Sequence, residues 1–285
     1  MRTQTNILGM MTAIDLAQVR GTTRNTMMLS AIQAASERSL TERRDNEEPK
    51  SNLPRHRPPS HRPFVIGFGS APGGTGCTML AMHAAVYAAR QGMRTLAVSV
   101  DPTGGLMFRL GASKYHDAAE RCDSAYEHLQ LFWSQPGLLI RELVRDFLPH
   151  TDCDVIVIDL GPNIVKTGLS SVPLADCWVI PVPDERALRS LASRLYPVGT
   201  QETLFVRTFC PDAPSLDDME AVFDKFPPAG PHALLHTDIP SSGLLRRTCN
   251  ERKTIWELGP QSPSCRRIDS FCSELFGRTQ RFESQ

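Results

Sequence analysis

The chain has 285 residues, which is enough for one large domain or two small ones. Hydrophobic residues make up 41% and charged residues 22%, as in an ordinary soluble globular protein. Basic and acidic residues number 31 each, and this neutral balance excludes a globally basic nucleic-acid coat. No apolar run is long enough to span a membrane, and the early apolar stretch 7–17 contains Asp15, so we predict neither a transmembrane helix nor a signal peptide. The 8 cysteines lack metal-ligand spacing, which favours reduced thiols in the cytoplasm.

The charges are unevenly distributed along the chain. Residues 1–62 carry four more basic than acidic residues, and residues 244–281 carry the same surplus, so the middle of the chain is acidic. Two basic ends of this kind either bind an anionic partner or form solvated helix faces. Because the surplus is small, we expect solvated faces.

The first 62 residues are predicted to be an arm that precedes a domain. Helical patterns cover 12–20 and 25–40, and they are followed by a polar, proline-rich segment over 41–63. That segment cannot bury enough apolar surface to offset its ordering entropy, so we predict a linker. The domain organisation is therefore a largely disordered arm with short helices over 1–62 and a folded domain over 63–285. The arm either docks into a partner or folds back on its own domain.

After Pro63, short apolar runs alternate with amphipathic stretches, and this alternation predicts βαβ units. The fold class is thus α/β, a doubly wound and mostly parallel sheet with helices on both faces. The predicted strands are 64–69, 95–100, 155–158, 178–182, 204–209 and 233–235, and the predicted helices are 77–91, 137–148, 185–196, 215–226, 242–253 and 264–277.

The most informative segment is FVIGFGSAPGGTGCTMLAMHAAVYAARQG, residues 64–92. A buried strand ends at Gly69, a glycine-rich turn follows, and an alanine-rich helix begins near Gly76. This arrangement directs backbone N–H groups and a helix N-terminus at phosphate groups. The glycines at 73, 74 and 76 permit positive φ angles and a close backbone approach. Thr78 stands where a hydroxyl would bind Mg²⁺. A plain glycine turn is the alternative for this segment taken alone.

Two further predicted strands end in a carboxylate. Asp101 closes the segment 95–101, and Asp159 closes the segment 154–159. Carboxylates at the carboxyl ends of parallel strands, beside a phosphate loop, lie where an open α/β sheet binds its ligand.

In this order and spacing, the motifs resemble those of the ParA/MinD family of deviant Walker P-loop ATPases (SIMIBI type). The resemblance extends over about 63–277. It implies ATP and Mg²⁺ as ligands, an ATP-dependent homodimer, and a role in positioning or assembling cellular cargo. By match to the family motifs, Asp101 would orient the attacking water, and Thr78 and Asp159 would hold the Mg²⁺ shell. The implied nucleotide-binding residues are Gly73, Gly74, Thr75, Gly76, Cys77 and Thr78.

The phosphate loop departs from the family pattern KGGxGK[ST] at both lysines. Pro72 stands in place of the lysine that reaches the partner's phosphates, and Cys77 in place of the lysine that binds the β- and γ-phosphates. A thiol is only a weak donor, and loss of one preorganised donor typically slows a reaction about 10²–10³-fold. We therefore expect weak nucleotide binding and a weak or inactive ATPase. Arg207 and Thr208 occupy the region of the family's adenine-contacting Asn, so no adenine contact is assigned.

Within the family, the chain is most similar to the BcsQ/YhjQ branch of cellulose-secretion accessory proteins, some of which also lack the Walker lysine. That resemblance implies a cytoplasmic accessory subunit of cellulose or exopolysaccharide secretion. Its partners would be the other subunits of the secretion complex, which would recruit it to the membrane. The segments that carry the resemblance are the loop itself, 158–162, 183–189, 204–209, 215–218 and 235–238.

Two alternatives belong to other branches. The first is a partition-type ParA protein that binds non-specific DNA through a C-terminal basic cluster. The second is membrane attachment in the manner of MinD through the apolar face of the last helix, although the same spacing describes a helix packed on the sheet, which we favour. A reactive Cys77 thiolate at the helix N-terminus is a further hypothesis. The basic cluster comprises Arg246, Arg247, Arg252, Lys253, Arg266 and Arg267, and the apolar face comprises Ile268, Phe271, Cys272, Leu275 and Phe276.

Overall fold

The structure is a computed structural model of the chain. It describes residues 62–70, 73–101, 103–112, 121–133, 152–163, 175–192, 202–209, 215–225 and 231–279. All of these residues belong to one compact unit. The predicted arm and its linker lie outside the described residues, except for Arg62 and Pro63 just before the first strand. The predicted helix 137–148 also lies outside them.

Eight strands form one sheet in the order β3-β4-β2-β5-β1-β6-β7-β8. Every described pair is parallel except β3 with β4, which is antiparallel at one edge. The four strands nearest the centre consist mainly of buried β-branched and other apolar residues, as expected for a parallel sheet covered on both faces. The strands are β1 Phe64–Phe68, β2 Thr95–Ser99, β3 Arg121–Asp123, β4 Leu129–Trp133, β5 Val155–Asp159, β6 Cys177–Val182, β7 Glu202–Arg207 and β8 His232–Leu234.

The register of the central strands aligns their carboxyl ends. Asp159 at the end of β5 lies opposite Phe68 on one side and Ser99 on the other. The loops that follow β1, β2 and β5 therefore emerge next to one another at one edge of the sheet. Next to β1, the indole of Trp178 lies over Gly67, where a Cβ atom would be 2.2 Å from Cζ3 of the ring. Close packing of these two strands thus requires glycine at this position.

Seven α-helices are described, together with a 3-10 turn at Gly161–Asn163. Helix α1 is the most deeply buried, because small alanine side chains let it lie directly on the sheet. The last helix, α7, buries the apolar face made by Ile268, Phe271, Cys272, Leu275 and Phe276, which confirms the prediction of a core helix. The helices are α1 Cys77–Arg90, α2 Gly105–Arg109, α3 Glu185–Ala192, α4 Leu216–Lys225, α5 Gly243–Glu251, α6 Ile255–Leu258 and α7 Pro263–Thr279.

The predicted fold class is confirmed, and six of the predicted strands appear with shifts of at most two residues. Strand β7 begins and ends two residues earlier than predicted, because its first residues, Glu202 and Thr203, are polar, whereas Phe209 beyond its end is apolar. The sequence did not predict β3, β4, α2 or α6. Each of these is short, and β3 presents the polar sequence RCD at the sheet edge, so neither length nor periodicity marks it.

Candidate functional site

The loop between β1 and α1 adopts the backbone that its glycines permit. Gly74 has φ 80° and Gly76 has φ 90°, a region that side chains rarely adopt. A Cβ atom at Gly76 would also lie 2.3 Å from Cε2 of Phe209. Gly73 does not have a positive φ, and a Cβ atom at this position would meet nothing within 4 Å. The hydroxyl of Thr208 donates to the carbonyl of Thr75 at 2.9 Å and fixes the loop from β7.

The first residue of α1 contacts the carboxylate that ends β5. The Sγ atom of Cys77 donates to Oδ1 of Asp159 at 3.6 Å, and the backbone N–H of Gly161 donates to the same oxygen at 3.0 Å. Both side chains are buried. The residues that sequence motifs assigned to the phosphate loop and to the second acidic motif are therefore in contact.

This environment changes the protonation of both groups. Burial raises the pKa of Asp159 to about 6, although the hydrogen bond from the Gly161 backbone acts in the opposite direction. Burial, followed by the charge of Asp159, raises the pKa of the Cys77 thiol well above its usual value. The thiol is therefore neutral at physiological pH, which argues against the hypothesis of a reactive thiolate.

Asp101 lies beside the same turn. It is buried, its Oδ1 accepts the N–H of Thr103 at 3.0 Å, and its backbone carbonyl accepts the indole N–H of Trp133 at 3.4 Å. A Cβ atom at Gly161 would meet Oδ2 of Asp101 at 2.8 Å, so the turn after β5 passes directly against this carboxylate. The structure thus brings Asp101 and Asp159 together around Gly161.

The oxygen atoms at this edge fit a hard cation. Within the described residues, Oδ2 of Asp159 is buried without a hydrogen-bond partner, and so is the hydroxyl of Ser99 on the neighbouring strand. Such groups are costly to leave unsatisfied. Carboxylate and hydroxyl oxygens are the donors that Mg²⁺ prefers. Thr78 and Asp159, with Asp101 nearby, therefore form a donor set that fits Mg²⁺.

A cavity of about 420 Å³ opens over the loop, within the size range of small-molecule sites. All six predicted loop residues line it, whereas Asp101 and Asp159 do not. Pro72 lies outside the described residues. The residues that line the cavity are Ser70, Gly73, Gly74, Thr75, Gly76, Cys77, Thr78, Met79, Arg109, Gly161, Pro162, Phe209, Ser241, Ser242, Leu245, Arg246 and Cys249.

Several lining residues were not predicted to belong to the site. Arg109 comes from the end of α2, Phe209 from the turn after β7, and Arg246 from α5. Phe209 has φ 61°, which is uncommon for a non-glycine residue and often accompanies a functional turn. Arg246 stood out only as one member of a basic cluster, and its spacing does not distinguish it from Arg247.

Three of the six residues of the basic cluster contact an acidic or aromatic side chain. Arg247 pairs with Glu251 at 2.7 Å, and Arg267 pairs with Asp238 at 2.9 Å. The guanidinium of Arg252 lies 3.7 Å from the ring centroid of Phe108. These contacts are those of ordinary solvated helix faces, so they give no support to the alternative of DNA binding.

Solved structures with the same fold are MinD- and ParA-type ATPases. The cell division ATPase MinD of Pyrococcus furiosus matches with a TM-score of 0.61 and 19% identity over 75% of this chain and 98% of that chain. MinD of Pyrococcus horikoshii complexed with Mg-ADP gives 0.57 and 18% over 74% and 95%. A ParA family ATPase from Chlorobium tepidum gives 0.54 and 20% over 73% and 98%. The chain therefore has the MinD/ParA-type P-loop fold.

Neither the known protein families nor the curated proteins contain a match to this sequence. The similarity is thus one of fold.

Among the helices that the structure describes, none is both long and apolar enough to cross a membrane.

Proposed function

We propose that the protein binds ATP with Mg²⁺ at this cavity, and that it acts as a nucleotide-dependent assembly or positioning factor with little or no hydrolysis. One observation carries the proposal: the cavity over the glycine-rich loop adjoins a buried carboxylate whose Oδ2 has no partner among the described residues. A cavity lined by a glycine-rich loop and the N-terminus of a helix suits phosphate groups, and a buried carboxylate oxygen without a partner suits their counter-ion.

Each residue has a distinct role in this proposal. The N–H groups over 73–78 and the N-terminus of α1 would bind phosphate oxygens. The Thr78 hydroxyl and the Asp159 carboxylate would hold Mg²⁺, which neutralises phosphate charge when it is bound. Asp101, buried beside Gly161, would orient water if hydrolysis takes place.

Slow turnover follows from the residue that occupies the first helical position. Cys77 is a neutral thiol whose one hydrogen bond is donated to Asp159. It supplies no positive charge to a phosphate group. Since preorganised electrostatic stabilisation is usually the largest contribution to catalysis, we infer binding without efficient hydrolysis.

The cellular role rests on the resemblance of the motifs to the BcsQ/YhjQ branch. We propose that the protein is a cytoplasmic accessory subunit of a cellulose or exopolysaccharide secretion complex, that nucleotide stabilises its homodimer, and that the segment 1–62 contacts other subunits. The fold supports the coarser part of this proposal, a positioning role, since the solved structures with this fold include the septum site-determining protein MinD of Pyrococcus horikoshii.

The test is titration calorimetry of the full chain with Mg-ATP, with static light scattering to follow dimerisation and phosphate release to follow turnover. Binding, dimerisation and negligible phosphate release are expected. Asp159→Asn is the control, and it should abolish the Mg²⁺ dependence of binding. Absence of any binding at millimolar Mg-ATP would overturn the nucleotide-binding role and leave a scaffold with a relic site.

A further inference from the structure

The side chains that line the cavity carry positive charge and no negative charge. None of its 17 lining residues is acidic, and two are arginines. The nearest carboxylates, Asp101 and Asp159, are buried and do not line the cavity. The loop itself contributes no cationic side chain. All the positive side-chain charge at this cavity therefore comes from elements outside the loop, α2 and α5.

The two arginines have no carboxylate partner in the part of the chain that the structure describes. Arg246 donates only to the hydroxyl of Ser241, at a long 3.4 Å, and Ser241 is itself a lining residue. The next residue of the same helix, Arg247, is held by Glu251 at 2.7 Å and does not line the cavity. Two adjacent arginines on one helix thus differ in orientation and in pairing, and the one that faces the cavity is unpaired.

The helices that carry these arginines pack against each other, and one of them follows Asp101 closely in the sequence. Helix α2 packs against α5, and the guanidinium of Arg252 lies over the ring of Phe108 across that contact. Helix α2 also begins only four residues after Asp101. Arg109 and Arg246 are therefore carried by two helices that pack against each other, and both residues line the same cavity.

We propose that Arg246 and Arg109 bind the phosphate groups of a nucleoside di- or triphosphate. From outside the loop, they supply the positive charge that the loop lacks because Pro72 and Cys77 stand where the family pattern has lysines. This inference rests on the nucleotide-binding role proposed above and identifies the residues that make it possible. A guanidinium offers a planar fork of donors that matches two phosphate oxygens. The site consequently recognises the polyphosphate chain by arginine forks and loop amides.

The experiment compares Mg-ATP and Mg-tripolyphosphate binding to the full chain and to Arg246→Gln, Arg109→Gln and the matched control Arg247→Gln. We expect Arg246→Gln and Arg109→Gln each to weaken binding of both ligands about ten-fold, as for the loss of a charge-assisted hydrogen bond. Arg247→Gln should bind as the unaltered chain does. Adenosine, which lacks phosphate, should not distinguish the variants. Thermal unfolding of each variant verifies that it is folded.

Two results separate the failure of this inference from the failure of the proposed function. If the unaltered chain binds Mg-ATP and both arginine variants bind it equally tightly, the arginines do not hold the phosphates, although the nucleotide site stands. An equal loss in Arg247→Gln would also overturn the inference, because it would indicate a general effect of surface charge. If the unaltered chain binds neither ligand, the proposed function fails and this inference fails with it.

Discussion

The thiol of Cys77 donates its hydrogen bond to Oδ1 of Asp159 over 3.6 Å, inside the core and away from solvent. The residue at the start of α1 therefore faces the carboxylate at the end of β5, not a phosphate group. This contact joins the glycine-rich loop to the carboxylate at the end of β5, and mutation of either residue can test its role.

Cys77→Lys should strengthen Mg-ATP binding about ten-fold, the scale of a charge-assisted hydrogen bond. The new ammonium group would extend from the wall of the cavity that Cys77 lines and would lie near Asp159. Calorimetry measures the affinity, and phosphate release should rise in parallel. Cys77→Ser, which is neutral and similar in size, is the control and should leave the affinity unchanged. A folded Cys77→Lys protein with unimproved affinity would contradict the prediction.

Asp159→Asn should stabilise the ligand-free protein at pH 7 by about 3 kcal/mol. The pKa of Asp159 is about 6 in the folded chain against an ordinary value of 3.8, so its ionisation destabilises the fold as the pH rises from 3.8 to 6, and the cost is complete above that. Asparagine removes the buried charge while its amide oxygen can still accept from Gly161. Urea unfolding at pH 7 and at pH 4 measures the gain, which should disappear at the lower pH. A lower stability at pH 7 would show that the carboxylate is not a net cost.

His83 should make the protein lose stability as the pH falls from about 6.5 to about 4. Its buried ring contacts the carbonyl of Met79 at 2.7 Å and accepts the N–H of Ile255 at 3.0 Å, which joins α1 to α6. Burial lowers the pKa of His83 from 6.5 to about 4, so its contribution is fully present above pH 6.5 and amounts to about 3 kcal/mol.

The carboxylate of Asp159 has the opposite dependence over much of this pH range, so the effect of His83 is best measured in the Asp159→Asn background. Urea unfolding as a function of pH should then show a clear rise in stability between pH 4 and pH 6.5. His83→Gln in the same background should flatten that rise. An unchanged slope would assign the acid sensitivity to other groups.

Gly76→Ala should destabilise the protein by about 2 kcal/mol or more, because alanine would have to adopt φ 90° and its Cβ would overlap Phe209. Gly73→Ala is the matched control in the same loop, since nothing lies within 4 Å of its Cβ position. Thermal unfolding of both variants measures the difference. Equal melting temperatures would indicate that the loop relaxes freely around Gly76.

The parts of the fold that the sequence predicted are those in which one short segment contains the whole signal. The strand, glycine turn and helix over 64–90 form a contiguous unit, and Asp159 follows an unbroken apolar run, so both could be located. Strand β4 was missed because Gln130 interrupts its five residues, and α2 was missed because five residues do not establish a helical period.

Within the candidate site, the sequence located the loop and its carboxylates but not the opposite wall. Arg246 is 169 positions beyond Cys77, and only the packing of α5 brings it to the same cavity. Arg246 and Arg247 are chemically identical in the sequence, and it is the ion pair with Glu251 that separates them. Local spacing cannot encode such a contact between distant segments.

The hydrogen bond from the indole of Trp133 to the carbonyl of Asp101 gives the protein an intrinsic optical probe. Trp133 and Trp256 are partly buried, and Trp256 packs against the ring of His83, with 5.4 Å between centroids. Trp178 is buried and lies over Gly67 of β1. The chain has three tryptophans in all, and the emission of Trp133 is the difference between the spectra of the unaltered chain and Trp133→Phe. A change in the wavelength of that difference would follow the movement of the Asp101 segment in real time, without any attached dye.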